Sequence, residues 1–221
     1  MEISYTEENY LKAIYSISIA GGEGEATTNR LSGHLNNKAA SVTDMLKRLA
    51  EKKLINYRKY RGVELTAKGE RVAVKIIRKH RLWEVFLLEK LKFTWDEVHD
   101  IAEQLEHIQS DELMNRLDDF LGRPKFDPHG DPIPDSNGNF YQSKARPLSQ
   151  FQKKGSFVFT GVGEHSKAFL QYLSSIGLKI GDVLHVQSVN AFDHSYMVRT
   201  HKAPLFLSSQ VASKILVEVK K

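Results

Sequence analysis

The sequence predicts a mainly α protein with a small β domain at its C-terminal end, led by a winged helix-turn-helix. Three observations carry this. Apolar residues recur at helical spacing through most of the first 120 residues. Near the start, two helices joined by a turn precede a basic two-stranded run, the order of a winged helix-turn-helix. After Phe151 the pattern changes to short alternating runs.

The first helix is expected over Thr6–Ala20, with Thr6 as N-cap and Tyr10, Leu11, Ile14, Tyr15 and Ile17 on its apolar face. Gly21-Gly22-Glu23-Gly24 ends it. A short helix from about Thr28 buries Leu31 and Leu35, and Asn36-Asn37 makes the turn. The second helix of the motif runs from about Lys38 to Lys53, with Val42, Met45, Leu46 and Leu49 as its buried stripe. Strand-like runs at 54–58 and 63–66, joined by Lys59-Tyr60-Arg61-Gly62, form the wing. A long helix is expected from near Thr66 past Leu88, another from Trp95 to about Gln109, and a third from Asp111 to Leu121. Five prolines between positions 124 and 147, with Gly130 and Gly138, leave little room for a regular element. Strands follow at 156–160, 183–187 and 215–219, with an amphipathic helix around Lys167–Ser175, which together read as a small, mostly β barrel. The expected organisation is a DNA-binding domain over 1–70, a helical domain over 71–122, a linker over 123–150 and the β domain over 151–221.

The chain of 221 residues has 41% hydrophobic and 27% charged residues, which excludes a disordered or fibrous class. It has no cysteine, so a disulfide framework, an iron–sulfur cluster and a cysteine nucleophile are excluded. Any metal must be held by His, Asp, Glu, backbone or water, which favours Mn²⁺, Fe²⁺ or Zn²⁺. No apolar run reaches the ~20 residues of a membrane span and the N-terminus is not a signal peptide, so no membrane partner and a cytoplasmic location are expected. The net charge of +5 is unevenly spread: eight Lys/Arg face two acidic residues between Lys38 and Arg61, whereas nine Asp/Glu face Arg116 alone between Trp95 and Leu121. A piece suited to a polyanion is followed by one suited to cations.

In the acidic piece, His99, Glu103, Glu106 and His107 stand at i, i+4, i+7 and i+8, within one arc of a continuous helix. The preceding helix carries His80 and Glu84, again four apart. Two helices presenting His and Glu is one way helical proteins assemble divalent sites, although i,i+4 pairs on a solvated face look the same. In the basic piece, the N-terminal residues of the reading helix are Lys38, Ala39, Ala40, Ser41, Thr43 and Asp44, suited to base edges, with Lys47 and Arg48 in reach of phosphates. Arg58, Lys59 and Arg61 in the wing would hold backbone phosphates. A wet basic face has the same composition; the order of elements favours double-stranded DNA. Apolar residues of the 70–121 helices (Val72, Ile76, Leu82, Phe86, Leu87, Leu91, Phe93) exceed what one small domain covers and are expected to form a homodimer seam, which implies a palindromic operator.

Several spaced motifs now resemble one family. They are Thr6-Glu7-Glu8-Asn9-Tyr10-Leu11-x-x-Ile14-Tyr15, Arg78-Lys79-His80-Arg81-Leu82-x-Glu84 and Val98-His99-Asp100. Glu106-His107-x-x-Ser110-Asp111-Glu112 and Asp127-Pro128-His129-Gly130-x-Pro132-Ile133-Pro134 follow in order. Residues 1–135 resemble the diphtheria toxin repressor and manganese transport regulator family, and the tail resembles its SH3-like (FeoA-like) third domain. The resemblance implies a metal-dependent repressor of metal-uptake genes. It implies one metal site from His80, Glu84 and His99, and a regulatory site from Glu103, Glu106 and His107 completed from the first helix. That last position falls on Asn9, where relatives have Met or Asp, so neighbouring Glu8 or water is a further candidate. Glu103 stands where iron-type members place Cys and manganese-type members a carboxylate, which tilts the choice toward Mn²⁺ over Fe²⁺, with Zn²⁺ a substitute in vitro. Glu164 and His165 lie about where the third domain of some relatives donates a ligand, or form a polar loop. The expected cofactor is thus a divalent metal and no organic cofactor. Two rivals from other classes are a winged-helix regulator sensing an organic ligand and a metallohydrolase. Against the latter, no His-Glu-x-x-His, Gly-x-Ser-x-Gly or phosphate-loop motif occurs, and no enzyme activity is expected.

Overall fold

The computed structural model describes residues 3–20, 26–58 and 62–220. They fall into two compact units, Met1–His80 with Glu103–Asn115 and Pro134–Asn139, and Arg81–Ala102 with Arg116–Ile133 and Phe140–Lys221.

The first unit opens with α1 (Tyr5–Tyr15), which runs on as a π-helical turn over Ser16–Ala20. Ser4 rather than Thr6 caps it. Ser4 Oγ accepts from the Glu7 N–H at 3.3 Å while the Glu7 carboxylate accepts from the Ser4 N–H at 2.8 Å. Thr6 has no acidic residue three positions on to reciprocate, so the capping box settles two residues earlier. α2 (Thr28–His34) starts at a Thr27 cap, and α3 (Ala39–Glu51) buries Val42, Leu46 and Leu49, with Met45 half-buried. β1 (Ile55–Tyr57) and β2 (Val63–Leu65) pair antiparallel, Ile55 opposite Leu65. The glycines expected to end the first helix and the wing tip at Lys59, Tyr60 and Arg61 lie outside the described residues. Tyr10, Leu11, Ile14, Leu31, Leu46 and Leu49 are buried as the core of this winged module. α4 (Ala67–Glu89) begins at Thr66, whose Oγ1 accepts from the Gly69 N–H at 3.1 Å. A Cβ on Gly69 would lie 1.9 Å from the Leu54 carbonyl oxygen, so only glycine lets this turn meet the wing.

α5 (Val98–Leu105) and α6 (Asp111–Phe120) follow, and α5 is shorter at both ends than expected. Thr94 N–H and Oγ1 both donate to Glu97 Oε2, at 2.9 and 2.8 Å, closing a separate turn before Val98. At the other end Glu106 and His107 leave the helix in a turn where the Ile108 N–H meets the Leu105 carbonyl at 3.2 Å. They are therefore not members of a continuous helical stripe. The expected dimer seam is also corrected: Ile76, Leu82 and Leu87 are buried within the chain, Val72 and Phe86 are half-buried, and only Leu91 and Phe93 of that set stand exposed.

The second unit contains a six-stranded antiparallel sheet. Its strands are β3 (Arg146–Pro147), β4 (Gly155–Val162), β5 (Val183–Val189), β6 (Tyr196–Arg199), β7 (Pro204–Leu207) and β8 (Ile215–Val219), hydrogen-bonded in the order β3-β8-β4-β5-β6-β7. With α7 (Lys167–Ser175) and α8 (Ser209–Lys214) it encloses a core that includes Leu148, Phe157, Phe159, Leu173, Tyr196 and Val217. The three strands read from sequence are present; β6, β7 and α8 were not foreseen, being only four to six residues long. The proline-rich stretch has little regular structure but is not loose. Asp127 Oδ1 accepts from the N–H groups of His129 and Asp131 at 2.8 and 3.0 Å, and Asp127, His129 and Ile133 are buried. Gly130 adopts φ +89°, and a Cβ there would fall 2.2 Å from the Thr160 carbonyl oxygen. The register of β4 against β8 shifts between Phe159 and Gly161, and the Val162 N–H donates to the His129 carbonyl at 2.9 Å. A bulge thus re-aims the strand to receive this loop.

Removing the α1 cap should loosen the helix that the first centre below is built on. Ser4→Ala is expected to cost about 1 kcal/mol of unfolding free energy in a denaturant titration.

Candidate metal centres

The first unit brings together donors from α1, α4 and the turn after α5. Glu8 of α1 is buried and its Oε2 lies 2.6 Å from His107 Nδ1, while Oε1 accepts from Gln109 Nε2 at 2.8 Å. Tyr5 stacks on the His107 ring, centroids 4.6 Å apart, and fixes its plane. Glu106 is fully buried; its Oε2 lies 2.6 Å from His80 Nδ1. Lys12 Nζ meets both Glu106 oxygens, at 2.7 and 2.8 Å, and also bonds Glu103 Oε1. Lys79 is buried nearby; burial lowers its pKa, opposed by the charges of Glu8, Asp111 and Glu106. A buried carboxylate is costly unless compensated by opposite charge and hydrogen bonds, and these basic groups supply that. Asn9, beside Glu8 on α1, has a buried Oδ1 with no hydrogen-bond partner. An orphaned carbonyl oxygen among imidazoles and carboxylates is a donor set that fits a hard divalent ion.

The second unit holds another cluster. Ligand atoms of Glu84, Asp127 and His129, all buried, lie within 4.8 Å of one another. His129 Nε2 is 2.7 Å from the Trp95 carbonyl, so Nε2–H donates there and Nδ1 is left facing Glu84 Oε2 at 3.6 Å. A backbone carbonyl that fixes the tautomer in this way orients an imidazole for metal binding. His99 Nδ1 approaches the same carboxylate, 3.5 Å from Glu84 Oε1. His165 packs edge-on to His129, centroids 5.2 Å apart, with Nε2 3.5 Å from Asp131 Oδ2. Arg81 faces Asp127 and Asp131, at 3.5 and 3.4 Å, and holds the loop from the other side. Burial, together with the charges of Asp131 and Glu84, pushes the Asp127 carboxyl up to about 8. Burial alone would lower the His129 pKa, but the hydrogen bond and charge of Glu84 prevail and raise it to about 9. Burial lowers that of His165.

Within the first unit, His80 has its Nδ1 against Glu106. Glu164 turns to Lys214, 3.8 Å away, and its Oε1 accepts from the Ser166 N–H at 3.2 Å. Asp127 and His129 were not foreseen as donors. They sit in a Pro- and Gly-flanked loop with no helical spacing, so a search along helix faces passes over them; the Asp-Pro-His-Gly motif was the available signal. At the reading helix, Lys38, Ala39, Ala40, Ser41, Asp44, Lys47 and Arg48 are exposed and Thr43 is half-buried. Arg58 is exposed, while Lys59 and Arg61 lie outside the described residues. Two adjacent exposed alanines opening a helix leave room for close approach of a partner surface.

Residues 2–63 match the family profile described as iron dependent repressor, N-terminal DNA binding domain. Residues 66–135 match that of its metal binding and dimerisation domain, and residues 146–219 match the FeoA domain. A solved structure titled manganese-dependent transcriptional repressor complex with manganese superposes with a TM-score of 0.86 at 33% identity, covering 97% of this chain and 100% of that one. The chain belongs to the iron-dependent repressor family. The manganese regulator SloR superposes with a TM-score of 0.77 at 35% identity over 97% of this chain and 98% of its own. The iron-dependent repressor IdeR of Mycobacterium bovis is 34% identical over 136 residues, 60% of this chain and 57% of its own length. The alignment therefore spans little more than half of that curated repressor. Within the family frame, both His/carboxylate clusters involve residues 66–135, the segment matched by the metal-binding profile, with His165 supplied from the FeoA-matched segment.

The two raised pKa values set a sign. A histidine whose pKa rises on folding stabilises the fold fully below its ordinary value of about 6.5, and this is lost as pH rises through about 9. Asp127, raised to about 8, acts in the same direction at lower pH. In chelator, the thermal midpoint is expected to fall between pH 6.5 and 9, and His129→Gln should flatten that slope. Mn²⁺, which must displace these protons, should bind more tightly as pH rises through the same window, as calorimetry would read.

Proposed function

We propose that the protein is a metal-activated, DNA-binding transcriptional repressor of metal-uptake genes. It acts in the cytoplasm as a homodimer on a palindromic operator, with no organic cofactor and no catalytic turnover. The observation that carries this reading is the position of α1. Within two turns it offers Glu8, Asn9 and Lys12 toward the first centre, and Glu7 toward the reading helix. Both Glu7 oxygens lie 2.7 Å from Nζ of Lys52, the residue that ends α3. That ion pair holds the Glu7 pKa below the ordinary value against the opposing effect of burial. Asn37, in the turn before α3, donates to the Tyr10 hydroxyl of α1 at 3.4 Å. A change in where α1 sits therefore reaches the residues that bracket the reading helix.

In this reading Glu8, Asn9, Glu103, Glu106 and His107 hold one divalent ion, with His80 beside Glu106. Glu84, Asp127 and His129 hold a second, with His99 and His165 at its edge. The ion supplies concentrated positive charge to donors gathered from α1 and the segment after α5. The chain's part is to bind it better in the arrangement that DNA accepts, and that difference in affinity is the coupling, of order 1–3 kcal/mol. All the donors are oxygen or nitrogen, which suits Mn²⁺ or Fe²⁺, with Zn²⁺ as a substitute in vitro. Lys38, Ala40, Ser41, Thr43, Lys47 and Arg48 read the major groove, and Arg58 with Lys59 and Arg61 hold phosphates. Exposed Leu91, Phe93, Leu113 and Phe120 are apolar residues available to a second copy.

Binding to fluorescent duplexes tiled across the upstream regions of metal-uptake genes tests the reading under anaerobic conditions. Mn²⁺ or Fe²⁺ should tighten binding to a palindromic site by tenfold or more over chelator, by about the upper part of the coupling range. His107→Ala should abolish that gain. Glu7→Gln should leave metal stoichiometry intact but cut the metal-induced gain several-fold, because the link from α1 to Lys52 is lost. Equal DNA affinity in chelator and in metal overturns the reading.

A further inference from the structure

Lys12 is the one cation that reaches into the first centre from α1, and it engages the carboxylates that the proposed ion needs. Its ammonium bonds Glu103 Oε1 and both oxygens of Glu106, at 2.7 and 2.8 Å for the latter. Its side chain is only 18% exposed and Glu106 is completely buried, so water screens these pairs weakly. One Glu106 oxygen, Oε2, is already shared with His80 Nδ1. A divalent ion that takes an oxygen from Glu103 and from Glu106 therefore cannot simply add to the cluster. It must break the Lys12 pairs, because a +1 ammonium and a +2 ion a few ångströms apart repel strongly in such a screened-off place.

We infer that Lys12 is a tethered competitor for the metal: an internal cation that holds the Glu103–Glu106 pair until a divalent ion displaces it, so that it sets the metal concentration at which the protein responds. This rests on the reading of that centre as a metal site. Displacement also supplies a direction. The lysine is four residues from Glu8 on α1, so the ion exchanges a lysine contact from α1 for contacts through Glu8 and Asn9 on the same helix. α1 is regripped rather than released. The orphaned Asn9 Oδ1 is the polar atom on that helix which still lacks a partner. A flexible, strongly hydrated ammonium suits the role, since it recovers full solvation once expelled, which a structural ion pair does not require.

The test uses the full chain, stripped with chelator and titrated with Mn²⁺ by calorimetry, as wild type, Lys12→Met and Lys12→Gln. The site is identified as the one lost in His107→Ala. Thermal melts are taken with chelator and with saturating Mn²⁺. If Lys12 competes, both variants bind Mn²⁺ at this site about tenfold or more tightly than wild type. They also melt lower in chelator, where two carboxylates are left facing each other, but no lower with Mn²⁺, so the metal-induced rise in melting temperature grows. Lys12→Gln, which keeps a hydrogen-bond donor without the charge, guards against a folding defect in Lys12→Met. Affinity unchanged or weaker in both variants, or melting lowered equally with and without Mn²⁺, means that Lys12 is a structural ion pair and overturns the inference. If wild type and His107→Ala bind Mn²⁺ identically, the centre itself is not a metal site and both conclusions fall.

Discussion

A fully buried carboxylate, Glu106, is the constraint around which the first unit is organised. Left uncompensated, its charge would cost several kcal/mol, and burial forbids water from doing the work. The chain answers with His80 from α4, Lys12 from α1 and the nearby charge of Lys79, and these are the groups that fasten α1 to the segment after α5. Glu8 repeats the arrangement with His107 and Gln109. This part of the fastening is electrostatic, so its strength depends on the charges gathered around Glu106. The apolar face of α1, Tyr10, Leu11 and Ile14, meanwhile keeps it in the core.

The second unit solves a similar problem differently. Glu84, Asp127 and His129 are buried together, with Arg81 as the nearest guanidinium. Here protons do the balancing, which is why the Asp127 and His129 pKa values both rise. The loop that carries them has no helix or strand to hold it. It is fixed by the Asp127 turn, by Gly130 pressed against Thr160, and by the bulge in β4 that accepts the His129 carbonyl. The same burial that raises these pKa values makes the stability of this unit depend on pH.

An ion pair between a buried carboxylate and a half-buried lysine ties α1 to the end of α3. Glu7 sits in the capping box of α1 and also binds Lys52 at the end of α3. One residue thereby touches both the start of α1 and the end of α3. No long chain of intermediaries is needed, only two helices that share a charged contact and a core.

Much of this was legible in the sequence because periodicity reports burial directly. The winged module, the long α4, the change to alternating strands after Phe151 and the His/Glu content of the helical segment all follow from which residues are apolar and how they are spaced. Glu8, Asn9, Glu103, Glu106 and His107 could be picked out from the sequence, but not their arrangement. Helical spacing placed Glu106 and His107 on one stripe with His99, whereas the helix stops at Leu105 and a turn swings them toward α1. Local sequence does not state where a helix ends when the residues beyond it are as helix-competent as those within. Lys12 as a partner of Glu103 and Glu106, 91 and 94 residues away, and Asp127 with His129 as partners of Glu84, were decided by tertiary structure alone. Composition and period fix which side chains must leave water, but which charge neutralises which is a property of three-dimensional packing, and only the folded chain assigns the pairs.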